Sequence, residues 1–282
     1  MFLRGLRQRT FPRKVLIVGP YAGEFGHEIM DFQSRVRGNA RRYQEVHIIT
    51  YPGREPLYRA PNVTVHTHDF DLKTAGYLFG RRTFHELDAY AKAFAEEKGL
   101  RNYDVFNTNL LCSRWHRRLL WPEAHAVFTS KYTESAPREI IFHFRNIQKT
   151  GPDATRNFGP EIAADLAARL HATGYKLTCI GHPLYSLCPA HCEDCRTEDL
   201  DKTVSVIASG RLVVGELSGP IHLAVYLSKP VLTWAPGKER IWAAQRRNPH
   251  GVPFYVVADD TTNPPVELIV KHIEAASDEW EL

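Results

Sequence analysis

Short apolar runs and helix-length amphipathic segments alternate along this chain, and the alternation runs twice. The first pass opens with "KVLIVG" (14–19), a continuous apolar run closed by glycine, which predicts a buried strand. "PYAGEFG" follows as a loop. "HEIMDFQSRVRGNARRY" then reads as a helix with Ile29, Phe32 and Val36 on one face. "EVHIIT" (45–50), "NVTVHTH" (62–68) and "YDVFNT" (103–108) predict further strands, and "FHELDAYAKAFAEEKGL" (84–100) a helix ended by Gly99. The second pass starts at "REIIFHF" (138–144). It continues through a helix over 159–174, the strand "YKLTCIG" (175–181), the short helix "DKTVSVIASG" and the strand "RLVVG". The helix "PIHLAVYLS" and the strands "PVLTW" and "PFYVV" complete it. Strands alternating with helices imply mostly parallel sheets flanked by helices, that is, an α/β chain.

A length of 282 residues exceeds what one core usually holds. Two domains follow, with a boundary at "TESAPR" (133–138): 1–136, 137–263, and a closing helix over 264–282 that can pack back on the first domain. Doubly wound sheets bind ligands beyond the carboxyl ends of their strands. No apolar run reaches the roughly 18 residues of a membrane span, and the basic start lacks the apolar core of a signal peptide. A cytoplasmic location is therefore expected. The net charge is only +4, but arginines and lysines cluster at residues 4–14, 35–42 and 114–118. Such clusters suit a polyanion: a nucleotide diphosphate, an acidic membrane surface touched by the N-terminus, or nucleic acid.

The stretch "RLVVGELSGPIHLAVYLSKPVLTW" (211–234) is a strand, a loop and a helix. The loop "GELSGP" lies at the mouth of the helix, where free N–H groups and the helix dipole favour a phosphate. Gly219 permits close backbone approach, Ser218 adds a hydroxyl, Pro220 fits the first turn, and His222 sits just inside. A tight turn with a buried histidine is the alternative. Arg145, Lys149 and Arg156 follow the first strand of the second half and suit an anionic leaving group.

In the first half, "GPYAGEFGHEI" has G-x3-G-x2-G spacing, which is not the G-x-G-x-x-G dinucleotide fingerprint. It carries Glu24, His27 and Glu28, any of which suits a general base at a helix start; favouring the helix dipole is the structural alternative. "CPAHCEDC" sets Cys188, Cys192 and Cys195 at C-x3-C-x2-C, with His182 and His191 nearby. Three thiolates and an imidazole such as His191 would close a tetrahedral zinc site. No second C-x2-C pair supports that pattern, so reduced free thiols are expected and no metal.

The segment "IASGRLVVGELSGPIHLAVYLSKPVLTW", together with "FHFRN…TRNFGPEIAADLAARL…YKLTCIG", closely resembles the donor-site half of the heptosyltransferase-like (family 9-like) glycosyltransferases. The resemblance covers about 138–235 well and the first half loosely. It implies a GT-B fold, two Rossmann-like doubly wound domains facing across a cleft, with a nucleotide-sugar held mainly by the second. It also implies that the histidine-bearing turn meets the donor diphosphate, that Arg156 is the basic residue of the family's motif, and that Glu24 is the base. No cofactor is required beyond the nucleotide-diphosphate sugar, and no metal. The E-x7-E arrangement of retaining relatives is absent from the second half, which favours inversion. One departure stands out. The family's Asp before the "SG" pair is Leu217 here, with Glu216 one residue earlier, so Glu216 is a candidate to take over the sugar contact. The resemblance makes a glycan or lipid-linked saccharide hydroxyl the expected acceptor. The alternatives are a hydroxylated base in DNA, or a non-catalytic nucleotide-binding protein on the same scaffold.

Overall fold

The computed structural model describes residues 15–23, 25–68, 81–106, 139–147, 156–246, 248 and 250–280. The chain divides into two compact units, 1–126 and 127–282. The boundary expected at 136/137 lies outside the described residues.

In the first unit, β1 (Val15–Val18), β2 (Glu45–Thr50), β3 (Val63–Thr67) and β4 (Tyr103–Phe106) form a parallel sheet in the order β3-β2-β1-β4. The run "VLIV" is buried at every position, as an apolar run without alternation requires. The first helical segment is less regular than its sequence suggests. A single turn, Phe25–His27, leads into a π-helical turn, Glu28–Phe32, and only then into α1 (Gln33–Ala40). The Gln33 N–H bonds back five residues to the Glu28 carbonyl. Ile29, Phe32 and Val36 are buried as expected. α2 (Arg81–Glu97) packs Ala91, Phe94 and Ala95 on Val15, Ile17 and Ile49.

The second unit holds a seven-stranded sheet. Its elements are β5 (Glu139–Arg145), α3 (Pro160–Ala172), β6 (Lys176–Cys179), β7 (Ser186–Leu187), β8 (Glu193–Asp194), α4 (Leu200–Ser209), β9 (Leu212–Glu216), α5 (Gly219–Tyr226), β10 (Val231–Trp234), α6 (Lys238–Gln245), β11 (Phe254–Ala258) and α7 (Val266–Trp280). The parallel order is β11-β10-β9-β5-β6-β8, with β7 antiparallel on β5. The chain starts in the middle at β5, moves to one side through β6 and β8, then returns to the other side at β9. The β5/β9 boundary is therefore the topological switch point, where an open α/β sheet offers a crevice beyond its carboxyl ends.

The core of this unit stacks Phe142, Phe144 and Phe158 with Trp234, and adds Leu166 and Leu170 of α3. Val266, Ile269 and Ile273 of α7 enter the same core, and Tyr175 donates to Ser277 Oγ at 2.9 Å. The closing segment, which the sequence allowed to pack back on the first domain, supplies core residues to the second unit. Its apolar stripe matches the face of α3. Among the described residues no helix is long and apolar enough to cross a membrane.

Candidate functional site

The site in the second unit follows from strand alternation. Successive side chains of a strand point to opposite faces. Phe142 and Phe144 fill the core, so His143 and Arg145 take the other face of β5, next to β9. Gly215 lies opposite His143 in register. A Cβ there would sit 2.3 Å from the His143 carbonyl oxygen, so this approach of the two strands requires glycine.

β9 ends at Glu216, and Leu217 donates its N–H to the Trp234 carbonyl at 2.9 Å. Ser218 is the N-cap of α5 in extended conformation, yet its side chain makes no cap bond. Its Oγ instead lies 3.0 Å from His143 Nδ1. Burial, with Arg145 beside it, holds the His143 imidazole down to about 4, so the ring is neutral. The α5 N-terminus, with Gly219 and Pro220 in its first turn, has no side-chain cap and no acidic residue. His222 is buried one turn in.

Arg156 reaches this turn from the far side of a loop whose stems are tied together. Asn157 pairs with both backbone groups of Ile147 at 2.8 Å, and Phe158 donates its N–H to the Arg145 carbonyl at 2.9 Å. Arg156 Nε then donates to Glu216 Oε1 at 3.0 Å and Nη2 to the Leu217 carbonyl at 3.0 Å. Glu216 is 1% exposed. Burial raises its carboxyl, against the pull of Arg156, Arg145 and Arg240. The structure thus gathers Arg145, Arg156, Glu216, Ser218, Gly219 and His222 at the switch point, while Lys149 lies outside the described residues. Sequence reasoning missed His143 and Arg240. His143 was readable from its alternation with Arg145. Arg240 rides on α6, which no periodicity announced.

In the first unit the loop after β1 turns at Gly19 (φ +99°), where a Cβ would sit 2.3 Å from the Ile49 carbonyl oxygen. The Gly19–Pro20 bond is cis, and Tyr21 donates its N–H to the Ile49 carbonyl at 2.8 Å. Glu28 is fully buried. Its Oε1 accepts from Thr50 at 2.7 Å and Tyr58 at 2.6 Å, and its Oε2 lies 3.7 Å from Arg54 Nε. The Arg54 guanidinium stacks 3.9 Å over the Phe25 ring. Burial raises the Glu28 carboxyl despite Arg54. His27 is exposed. Glu24 lies outside the described residues.

The cysteines of the C-x3-C-x2-C run are split by a sheet edge. Cys192 and Cys195 flank the two-residue strand β8, which pairs with β6, and three residues along a strand point to opposite faces. Cys192 packs against the core with Cys188, whereas Cys195 Sγ lies 3.8 Å from Glu193 Oε1. His191 stacks on His171 at 4.7 Å, and His182 pairs with Glu198 at 3.2 Å. Among the described residues no group of three or more His, Cys, Asp or Glu has the geometry to hold a metal ion.

Two Rossmann-like α/β units with parallel sheets define the GT-B class, and comparison with solved structures bears this out. Escherichia coli ADP-heptose LPS heptosyltransferase II is 16% identical over 95% of this chain and 100% of its own, with a TM-score of 0.60. A glycosyl transferase family 9 structure from Veillonella parvula is 13% identical over 93% and 96%, at 0.57. E. coli heptosyltransferase WaaC is 15% identical over 93% and 99%, at 0.57. The chain has the heptosyltransferase-like glycosyltransferase fold. No family model and no curated protein sequence matches it.

Proposed function

We propose that this protein is a glycosyltransferase that moves a sugar from a nucleoside-diphosphate donor to a hydroxyl acceptor with inversion. The observation that carries the reading is the uncapped α5 N-terminus at the β5/β9 switch point, with Ser218 turned to His143 and Arg156 held alongside. Arg145, Arg156 and Arg240 act on one carboxylate, Glu216. A sugar–nucleotide diphosphate carries two negative charges, which cationic side chains at this turn suit. Arginine side chains supply here the charge stabilisation a departing diphosphate needs.

In this reading the acceptor oxygen attacks the anomeric carbon, the bond from that carbon to the phosphate oxygen breaks, and the nucleoside diphosphate leaves with the electron pair. Glu24 takes the hydroxyl proton. The burial of Glu28 and its bonds to Thr50 and Tyr58 suit a residue that holds the loop rather than one that meets an acceptor. Leu217, which stands where the family has Asp, has a buried side chain.

WaaC is known with ADP-2-deoxy-2-fluoro heptose, so ADP heads a thermal-shift panel with UDP, GDP and dTDP. One diphosphate at about 100 times its dissociation constant should stabilise the protein by about 2.7 kcal/mol. Glu24→Gln should bind that nucleotide normally and turn over at least about a hundredfold more slowly. A panel without any response sinks the nucleotide reading. Full turnover in Glu24→Gln sinks the base assignment alone.

A further inference from the structure

We propose that Glu216 is a positioning residue: it touches no part of the donor and acts by fixing Arg156 against the Ser218–Gly219 turn. The proposal rests on the nucleotide reading of the same site and changes the part expected of Glu216, which was contact with the sugar.

Three observations carry it. First, Glu216 ends β9 in register with Trp234, and its side chain is 1% exposed. A ligand in the crevice cannot reach a carboxylate so enclosed. Second, the arginine is gripped along one edge, with Nε on Glu216 Oε1 and Nη2 on the Leu217 carbonyl, both at 3.0 Å. These two bonds fix the guanidinium plane. Nη1 bonds no described residue, and the Arg156 side chain remains 21% exposed. A guanidinium fixed in this way is pre-organised for an anion, and its rotamer freedom is already lost before binding. Third, Glu216 Oε2 has no hydrogen-bond partner among the described residues. A buried, half-satisfied carboxylate is costly. A glutamine would fill the same space without that cost, so packing alone gives no reason for an acid here.

The sign of one substitution separates the possibilities. If Glu216 were only background negative charge, Glu216→Gln would tighten anion binding, because a like charge near the anion is removed. If Glu216 positions Arg156, the same change loosens the guanidinium and weakens binding while stability is kept or raised.

The test uses the full chain, with calorimetric titration of inorganic pyrophosphate, which has neither base nor sugar, and of the diphosphate that the panel selects. Arg156→Ala should weaken pyrophosphate about tenfold or more, as loss of a charge-assisted contact does. Glu216→Gln should weaken it several-fold, and Glu216→Ala about as much as Arg156→Ala. The double variant Glu216→Ala/Arg156→Ala should bind within about twofold of Arg156→Ala alone, because residues acting through one contact are not additive. Without ligand, Arg156→Met should lower the melting temperature by stranding the buried carboxylate, and adding Glu216→Gln should restore it. That measurement stands even where Glu216→Ala fails to fold. Tighter pyrophosphate binding by Glu216→Gln, additive losses in the double variant, or no thermal rescue each overturn the positioning role. A parent protein that binds neither pyrophosphate nor any diphosphate overturns the nucleotide reading itself, and the positioning of a donor contact falls with it.

Discussion

His143 is neutral because it is buried beside Arg145, and that has a consequence for stability. In the unfolded chain a histidine takes up a proton near 6.5; in the folded protein this one waits until about 4. The folded state therefore binds fewer protons than the unfolded state between those values. Stability from this group is present above 6.5 and is lost as pH falls towards 4, by up to about 3 kcal/mol. Thermal unfolding of the parent and of His143→Asn across that window should show a steeper loss in the parent, even if the variant is less stable throughout. Parallel curves would mean that His143 titrates normally. The sequence hinted at this residue only through alternation. Arg145 and Arg156 were legible as cations in loops after a strand. That Arg156 would bond Glu216, sixty positions away, was not, because a tertiary ion pair leaves no local pattern.

At the scale of elements, two helix starts in the second unit contrast. α4 is capped by Asp199, whose carboxylate accepts from the N–H groups of Asp201 and Lys202. α5 begins at Ser218 with no side-chain cap. Asp199→Ala should lower stability by about 1 kcal/mol and leave pyrophosphate affinity unchanged. Ser218→Asp places a carboxylate where the anion is proposed to rest, and should weaken pyrophosphate binding by at least about tenfold by competing for the same N–H groups. Normal pyrophosphate binding by Ser218→Asp would move the anion away from α5. The regular elements were legible because they obey their periods: apolar runs for β1, β5 and β9, and a helical stripe for α3. Those missed obey none. β8 is two charged residues, Glu193 and Asp194, paired with β6. This is why "CPAHCEDC" read as a thiol or metal motif and not as a sheet edge. α6, "KERIWAAQ", is too short and too mixed in polarity to declare itself. The π-turn at Glu28 has no sequence signature, since it depends on where the buried carboxylate finds Thr50 and Tyr58.

At the scale of the molecule, each unit has its own sheet and its own core. Every residue gathered around the α5 turn lies in the second unit, and so does α7, which supplies Val266, Ile269 and Ile273 to its core. Residues 127–282 are therefore a domain-sized piece whose described residues form a hydrophobic core of their own, which is what independent folding requires. The candidate base Glu24 belongs to the other unit. This division predicts a separation of functions. The fragment 127–282, expressed alone, should unfold in one cooperative thermal transition. It should bind pyrophosphate within about threefold of the full chain, a difference below 1 kcal/mol, and should transfer no sugar. The whole of α7 has to be kept, because a fragment ending before Val266 would leave the apolar faces of α3 and β11 uncovered and should aggregate. A fragment 127–282 that folds cooperatively but binds pyrophosphate far more weakly than the full chain would mean that the anion site needs the first unit. The phosphate-binding assignment to α5 and Arg156 alone would then be wrong.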